Sequence, residues 1–188
     1  MWKFLLLDRI GEYSQAWDTL NLAYDLDPIS IANQYNRGFY LSEQGKTEEA
    51  KNQFDSLVHD FPTSPLGYAG LASSYYQKGE LSSSVKYWKK TLDLSPNNQN
   101  FQTSYIDTLT SLGLIAQAKE ISQDPFYTAT YLLLEENYEA LFSYMEFELA
   151  AKPDDTWLLF ESAWYQILVG DKQVGIKQLL ETHDRFSS

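Results

Sequence analysis

Gly11, Gly45, Gly79 and Gly113 recur at one constant interval, and Pro28, Pro62 and Pro96 each fall midway between two successive glycines of that series. A period this regular means stacked copies of one supersecondary unit, each burying its apolar face on its neighbours, and not one globular core. Ala16, Ala50, Ser84 and Ala118 keep the same register. So do Leu20, Phe54 and Trp88, and then Ala23, Leu57 and Thr91.

Residues 31–64 show what the unit is. Tyr35, Phe39 and Leu41 lead to Gly45, and Ala50, Phe54, Leu57 and Val58 follow at helical spacing, which predicts two helices joined by a tight turn. Gly45 ends the first by accepting a positive φ. Glu48 and Glu49 suit the positive N-terminal end of the second, with Thr47 as its expected N-cap. Pro62 forbids continuation, and Thr63 or Ser64 before Pro65 is placed to cap the next helix. Residues 65–98 repeat the scheme through the turn Lys78-Gly79-Glu80.

This pattern resembles the tetratricopeptide repeat, a 34-residue helix-turn-helix unit of the same period with the motif W-x2-L-G-x2-Y, then alanine, an aromatic and proline. The best copy is Tyr68, Leu71, Ala72 and Tyr75, followed by Gly79, Ser84, Trp88 and Pro96. The copy before it has Gln34, Arg37, Gly38 and Leu41, so Arg37 replaces the expected leucine and should bring a charge to the helix interface. The copy after it has Gln102, Tyr105, Ile106, Leu109, Gly113 and Ala118. The resemblance implies an all-α solenoid of about five repeats, roughly ten helices, wound as a right-handed superhelix. The segments are 1–30 (truncated), 31–64, 65–98, 99–124, 125–155 (irregular) and 156–188.

Three departures stand out. The opening helix is short, with Trp2, Phe4, Leu5 and Leu6 as its remnant, so the chain reads as an excerpt of a longer protein. The stretch from Gly113 to Gly170 falls short of two full periods by about a third of one. The shortening lies near 121–136, where Asp124-Pro125 is expected to begin a helix early and Tyr138 to Ala151 make the next. The last unit carries Gly175 where alanine is usual, and no polar capping helix follows it.

A stacked repeat leaves a concave groove lined by the first helix of each pair. Carried over from the family, the groove positions include Tyr35, Phe39, Ser42 and Glu43, then Ser73, Tyr76 and Gln77, then Thr103, Asp107 and Ser111, and finally Trp157, Phe160, Trp164 and Leu168. Such a face can hold a peptide through aromatic anchors and hydrogen bonds to its backbone, with Glu43, Gln77 and Asp107 favouring a basic or donating ligand. The aromatics can equally pack against neighbouring helices, Trp157, Phe160 and Trp164 above all. The lysine-asparagine-arginine clamp with which part of the family grips a C-terminal carboxylate is absent. Its places hold Tyr35, Phe39, Gly70, Asn100 and Ser104, or Met1, Leu5, Asn36, Leu66 and Gly70 in the earlier register.

Composition narrows the partners. Twenty-six acidic against 14 basic residues give a net charge of −12, which repels phosphate backbones and anionic membrane surfaces, and no basic stripe offsets it. Zero cysteines remove disulfides, thiolate nucleophiles and cysteine metal sites. No segment reads as a signal peptide or membrane span, which fits the cytoplasm, or the periplasm for a piece of a membrane-anchored parent. His59 and His183 fall in last helical turns, where the helix dipole explains them. The paired carboxylates Glu48 with Glu49, Glu135 with Glu136 and Asp154 with Asp155 mark helix starts and turns. No phosphate loop is present. The expectation is a non-catalytic interaction module that takes a protein or peptide and no cofactor or metal. Two alternatives stay open. One is a regulatory region of a larger protein, since Leu26-Asp27-Pro28-Ile29-Ser30 is similar to repeat regions of bacterial winged-helix regulators or cyclase-like proteins. The other is homo-oligomerisation through uncapped terminal repeats.

Overall fold

The computed structural model describes residues 2–122 and 127–186. Its helices are α1 (Trp2–Arg9), α2 (Tyr13–Leu26), α3 (Ile31–Glu43), α4 (Thr47–Asp60), α5 (Pro65–Gln77), α6 (Leu81–Leu94), α7 (Gln99–Ser111), α8 (Ile115–Ile121), α9 (Thr128–Leu134), α10 (Tyr138–Ala151), α11 (Thr156–Val169) and α12 (Lys172–Phe186). No strand occurs among the described residues. Among the described residues twelve helices stand where the sequence predicts about ten; α8 and α9 have only seven residues each, too few to show a periodic pattern. Two compact units result, residues 1–114 and 115–188. The expected helix start at Asp124-Pro125 lies outside the described residues.

The tight turns set the architecture. After α3 the Gly45 N–H bonds to the Ser42 carbonyl at 2.9 Å and the Lys46 N–H to that of Leu41 at 2.9 Å, the paired bonds of a Schellman ending with Gly45 at φ 73°. Lys46 is at once the last residue of that turn and the N-cap position of α4, its carbonyl accepting from the Ala50 N–H at 2.9 Å. Thr47 is therefore already helical and is not the N-cap, a correction that follows from a turn with no spare residue. Gly11, Gly79 and Gly113 repeat the geometry at φ 82°, 75° and 71°. Ser64 is the expected cap before Pro65, accepting from the Leu66 N–H at 3.4 Å.

In the first unit each helix packs on the next, and α3 also touches α5. Phe54 of α4, 1% exposed, fills the space where these two first helices meet. A Cβ on Gly38 of α3 would lie 2.6 Å from its ring, and one on Gly70 of α5 would strike the same Cδ1–Cε1 edge of that ring. Leu41, Ala50 and Leu71 complete this core. Arg37 does bring its charge to the helix interface. Its Nη1 donates to Gln53 at 2.7 Å and its Nε to Asn21 at 3.3 Å, with the guanidinium 5.0 Å from the Tyr24 ring centre. Amide oxygens and an aromatic face thus stand in for an acid.

In the second unit Leu141, Met145, Ala129 and Tyr165 form the core. Gly175 is explained by closeness: a Cβ there would lie 2.6 Å from the Ala163 carbonyl oxygen and 2.9 Å from the Ile167 nitrogen, so α12 rides against the backbone of α11. Gly170 closes α11 at φ −115°, without the left-handed turn of the earlier glycines. That turn appears instead at Glu136, φ 55°, where the Glu136 and Asn137 N–H groups reach the carbonyls of Leu133 and Leu132 at 3.0 and 2.9 Å.

Candidate functional site

Phe39, Ser73 and Asp107 occupy one repeat position on α3, α5 and α7, as do Ser42, Tyr76 and Thr110, and Glu43, Gln77 and Ser111. These rows bring five of the expected groove residues together. Phe39, Ser73, Tyr76, Gln77 and Asp107 line a single open pocket of about 230 Å³. Trp88, Ser104 and Thr108 complete it. Sequence reasoning misses these three because Trp88 belongs to a second helix, whose consensus position reads as core, and the other two flank Asp107 without charge or ring to mark them.

Two hydrogen bonds of identical spacing tie the floor of this face. Ser42 Oγ donates to Gln77 Oε1 at 2.5 Å, and the Tyr76 and Ser111 hydroxyls meet at 3.2 Å. Each joins a residue to the one 35 positions on, one repeat and one residue further. With its Oε1 engaged, the exposed Gln77 keeps its amide NH₂, a donor pair, available for a ligand. Tyr76 remains 41% exposed and Phe39 46% exposed.

The other expected residues lie elsewhere. Tyr35 is half-buried on the Phe54 core, ring centres 5.9 Å apart, burial raises its hydroxyl pKa, and it lies outside the lining of this pocket. Glu43 and Thr103 are exposed and outside the pocket lining. Trp157, Phe160 and Trp164 belong to the second unit, along α11, with Trp157 tilted against Phe160 at 5.9 Å and Phe160 stacked on Trp164 at 6.4 Å between centres. They are 61%, 44% and 47% exposed, an aromatic stripe facing out from the helix.

Charge in the pocket comes from one group. Asp107 is exposed and makes no ion pair among the described residues, and partial desolvation by the neighbouring side chains raises its carboxyl pKa. Trp88 is 4% exposed, and its indole N–H has no hydrogen-bond partner among the described residues. No cluster of three or more His, Asp or Glu side chains placed to hold a metal occurs among the described residues, and no described helix is long and apolar enough to cross a membrane.

Comparison with known proteins points the same way. Residues 32–64 match the model of a tetratricopeptide repeat. A tetratricopeptide repeat protein from Parabacteroides merdae superposes with a TM-score of 0.74 at 17% identity, over 97% of this chain and 77% of that one. MamA from Desulfovibrio magneticus gives 0.62 at 12% identity, over 82% and 93% of the two chains. YrrB, described as a repeat protein of this kind with an unusual peptide-binding site, gives 0.55 at 14% identity, over 90% and 93%. No curated protein matches the chain by sequence. With its constant glycine register and glycine-closed helix pairs, the chain carries a tetratricopeptide repeat at residues 32–64 and has the fold of tetratricopeptide-repeat solenoids.

Proposed function

We propose that the chain is a non-catalytic interaction scaffold that holds a peptide segment of a partner protein against the first helices of its 1–114 unit. The observation that carries this is the convergence of Phe39, Ser73, Tyr76, Gln77 and Asp107, from three successive repeats, on one pocket. Half-exposed rings over a floor already fixed by the Ser42–Gln77 and Tyr76–Ser111 bonds offer anchors that lose little freedom on binding. The amide NH₂ of Gln77 suits a peptide carbonyl. The peptide-binding site in the description of YrrB supports the same use of the fold.

The test is selection of decapeptides from a displayed random library on the purified chain, with affinities of the winners read by fluorescence polarisation. Affinities near the micromolar range are expected, since an ordered peptide loses conformational entropy. Phe39→Ala and Tyr76→Ala, both at exposed sites, should each weaken binding about tenfold or more, consistent with loss of an anchor worth ~1.4 kcal/mol. Winners that bind both variants as well as the parent would refute the groove. A stable dimer that selects nothing would redirect attention to self-assembly.

A further inference from the structure

Charged residues make up 21% of the chain, yet α5 and α7, with 13 residues each, carry one between them: Asp107. That carboxylate sits in the pocket with aromatic side chains from Phe39, Tyr76 and Trp88 and hydroxyls from Ser73 and Ser104. It has no ion-pair partner among the described residues. Asp107 is exposed at the pocket mouth, partly desolvated by the side chains around it, and gains from a cation that joins it there.

From this geometry we infer that the pocket takes a lysine side chain of the bound partner, its ammonium on Asp107 and its methylene stem along Phe39 and Tyr76. The inference rests on the groove reading above and names the residue that the groove selects. Three features match. An ammonium brings three donors, and the carboxylate with the Ser73 and Ser104 hydroxyls supplies acceptors for them. The aromatic faces attract a cation and cover an apolar stem. A cavity of about 230 Å³ has room for one side chain and not for a folded element. The net charge of −12 draws basic segments and repels acidic ones.

The test uses n-butylammonium, the end of a lysine side chain, and 1-butanol, its neutral counterpart, titrated into the isotope-labelled chain at constant ionic strength and followed by NMR. The expected result is that butylammonium shifts the Thr108 amide and the Trp88 indole signals and binds at least fivefold tighter than butanol. Asp107→Asn should erase that preference, and the bound cation should move the Asp107 carboxyl titration to lower pH. Equal binding of the two probes, shifts confined to other carboxylates, or no shift at these signals up to 100 mM probe would overturn the lysine pocket. None of those results touches the groove itself, which stands or falls by the loss of decapeptide binding in Phe39→Ala and Tyr76→Ala.

Discussion

Gly70→Ala sets a local preference against a packing constraint, and the structure decides between them. In an isolated helix the change is favourable by about 1 kcal/mol, because alanine restricts the unfolded chain and suits the helix better. Here the new methyl meets the Phe54 ring inside contact distance. The ring cannot turn aside cheaply, because the same Cδ1–Cε1 edge is also packed on Gly38, where a Cβ would be only 2.6 Å away, and Phe54 is 1% exposed. Overpacking of this kind costs about 1–3 kcal/mol. A ring held from two helices belongs at the upper end, so the net loss should be about 1–2 kcal/mol after the helix gain. Repeat arrays need not unfold in one step. The assay is therefore native-state hydrogen exchange of the α3–α5 amides beside urea denaturation, with exchange expected to quicken about tenfold per ~1.4 kcal/mol. Phe54→Leu, itself destabilising by cavity formation, should relieve the clash, so the double variant should lose at least ~1 kcal/mol less than the sum of the singles. A neutral or stabilising Gly70→Ala, or a strictly additive cycle, would refute the claim that Phe54 is packed tightly on both glycines.

Two further outcomes follow from single residues. Glu136 stands at φ 55° in a turn that glycine occupies four times elsewhere, so Glu136→Gly should raise the urea stability of the 115–188 unit by roughly 0.5–1 kcal/mol, while Glu136→Ala should bring no gain; a loss with glycine would contradict the reading of that turn. Partial desolvation raises the carboxyl of the exposed Asp107 in the folded chain, so the native state binds its proton somewhat more tightly than the unfolded state. That contribution to stability is complete below the unfolded carboxyl range and is lost as pH rises through the raised value. Asp107→Asn should therefore show a shallower fall between acid and neutral pH than the parent, and should be at least as stable at pH 7. Urea midpoints across pH 3–7 check this, and a variant less stable than the parent at pH 7 would be incompatible with an unpaired carboxylate.

The fold was legible because its rules are local and repeat. Glycine at a constant interval, a small residue at Ala16, Ala50 and Ser84, and a ring at Phe54 and Trp88 each specify a turn or a close contact in every copy. The pocket was legible only in part. Position along a first helix identifies Phe39, Ser73, Tyr76, Gln77 and Asp107, since residues one period apart must line the same face. It also nominates Tyr35, which lies outside this pocket: the residue sits one turn before Phe39, and its ring lies beside Phe54, which no pattern on α3 alone reports. Trp88 is invisible for the converse reason, because a side chain from a second helix reaches this pocket only through the contact of three helices.

The missing third of a period shows where register is stored. Counted between glycines, the loss can be spread over the whole stretch from Gly113 to Gly170. The left-handed turn at Glu136 fixes it, because Glu136 stands one full period before Gly170 and only about two-thirds of one after Gly113. All of the shortening therefore precedes that turn, in the stretch that holds α8 and α9, seven residues each against 13 or 14 in α3 to α7. Beyond it, α10 and α11 return to 14 residues. The phase of the repeat is thus carried by the backbone conformation that reverses the chain. Glycine is the residue that adopts it with least strain, but hydrogen bonds from Glu136 and Asn137 back to Leu133 and Leu132 impose the same reversal on a glutamate. A search for the next repeat in such a chain is better guided by the apolar or aromatic residue four places before the turn, Leu7, Leu41, Tyr75, Leu109 and Leu132 here, whose carbonyl it uses, than by the glycine that usually marks it.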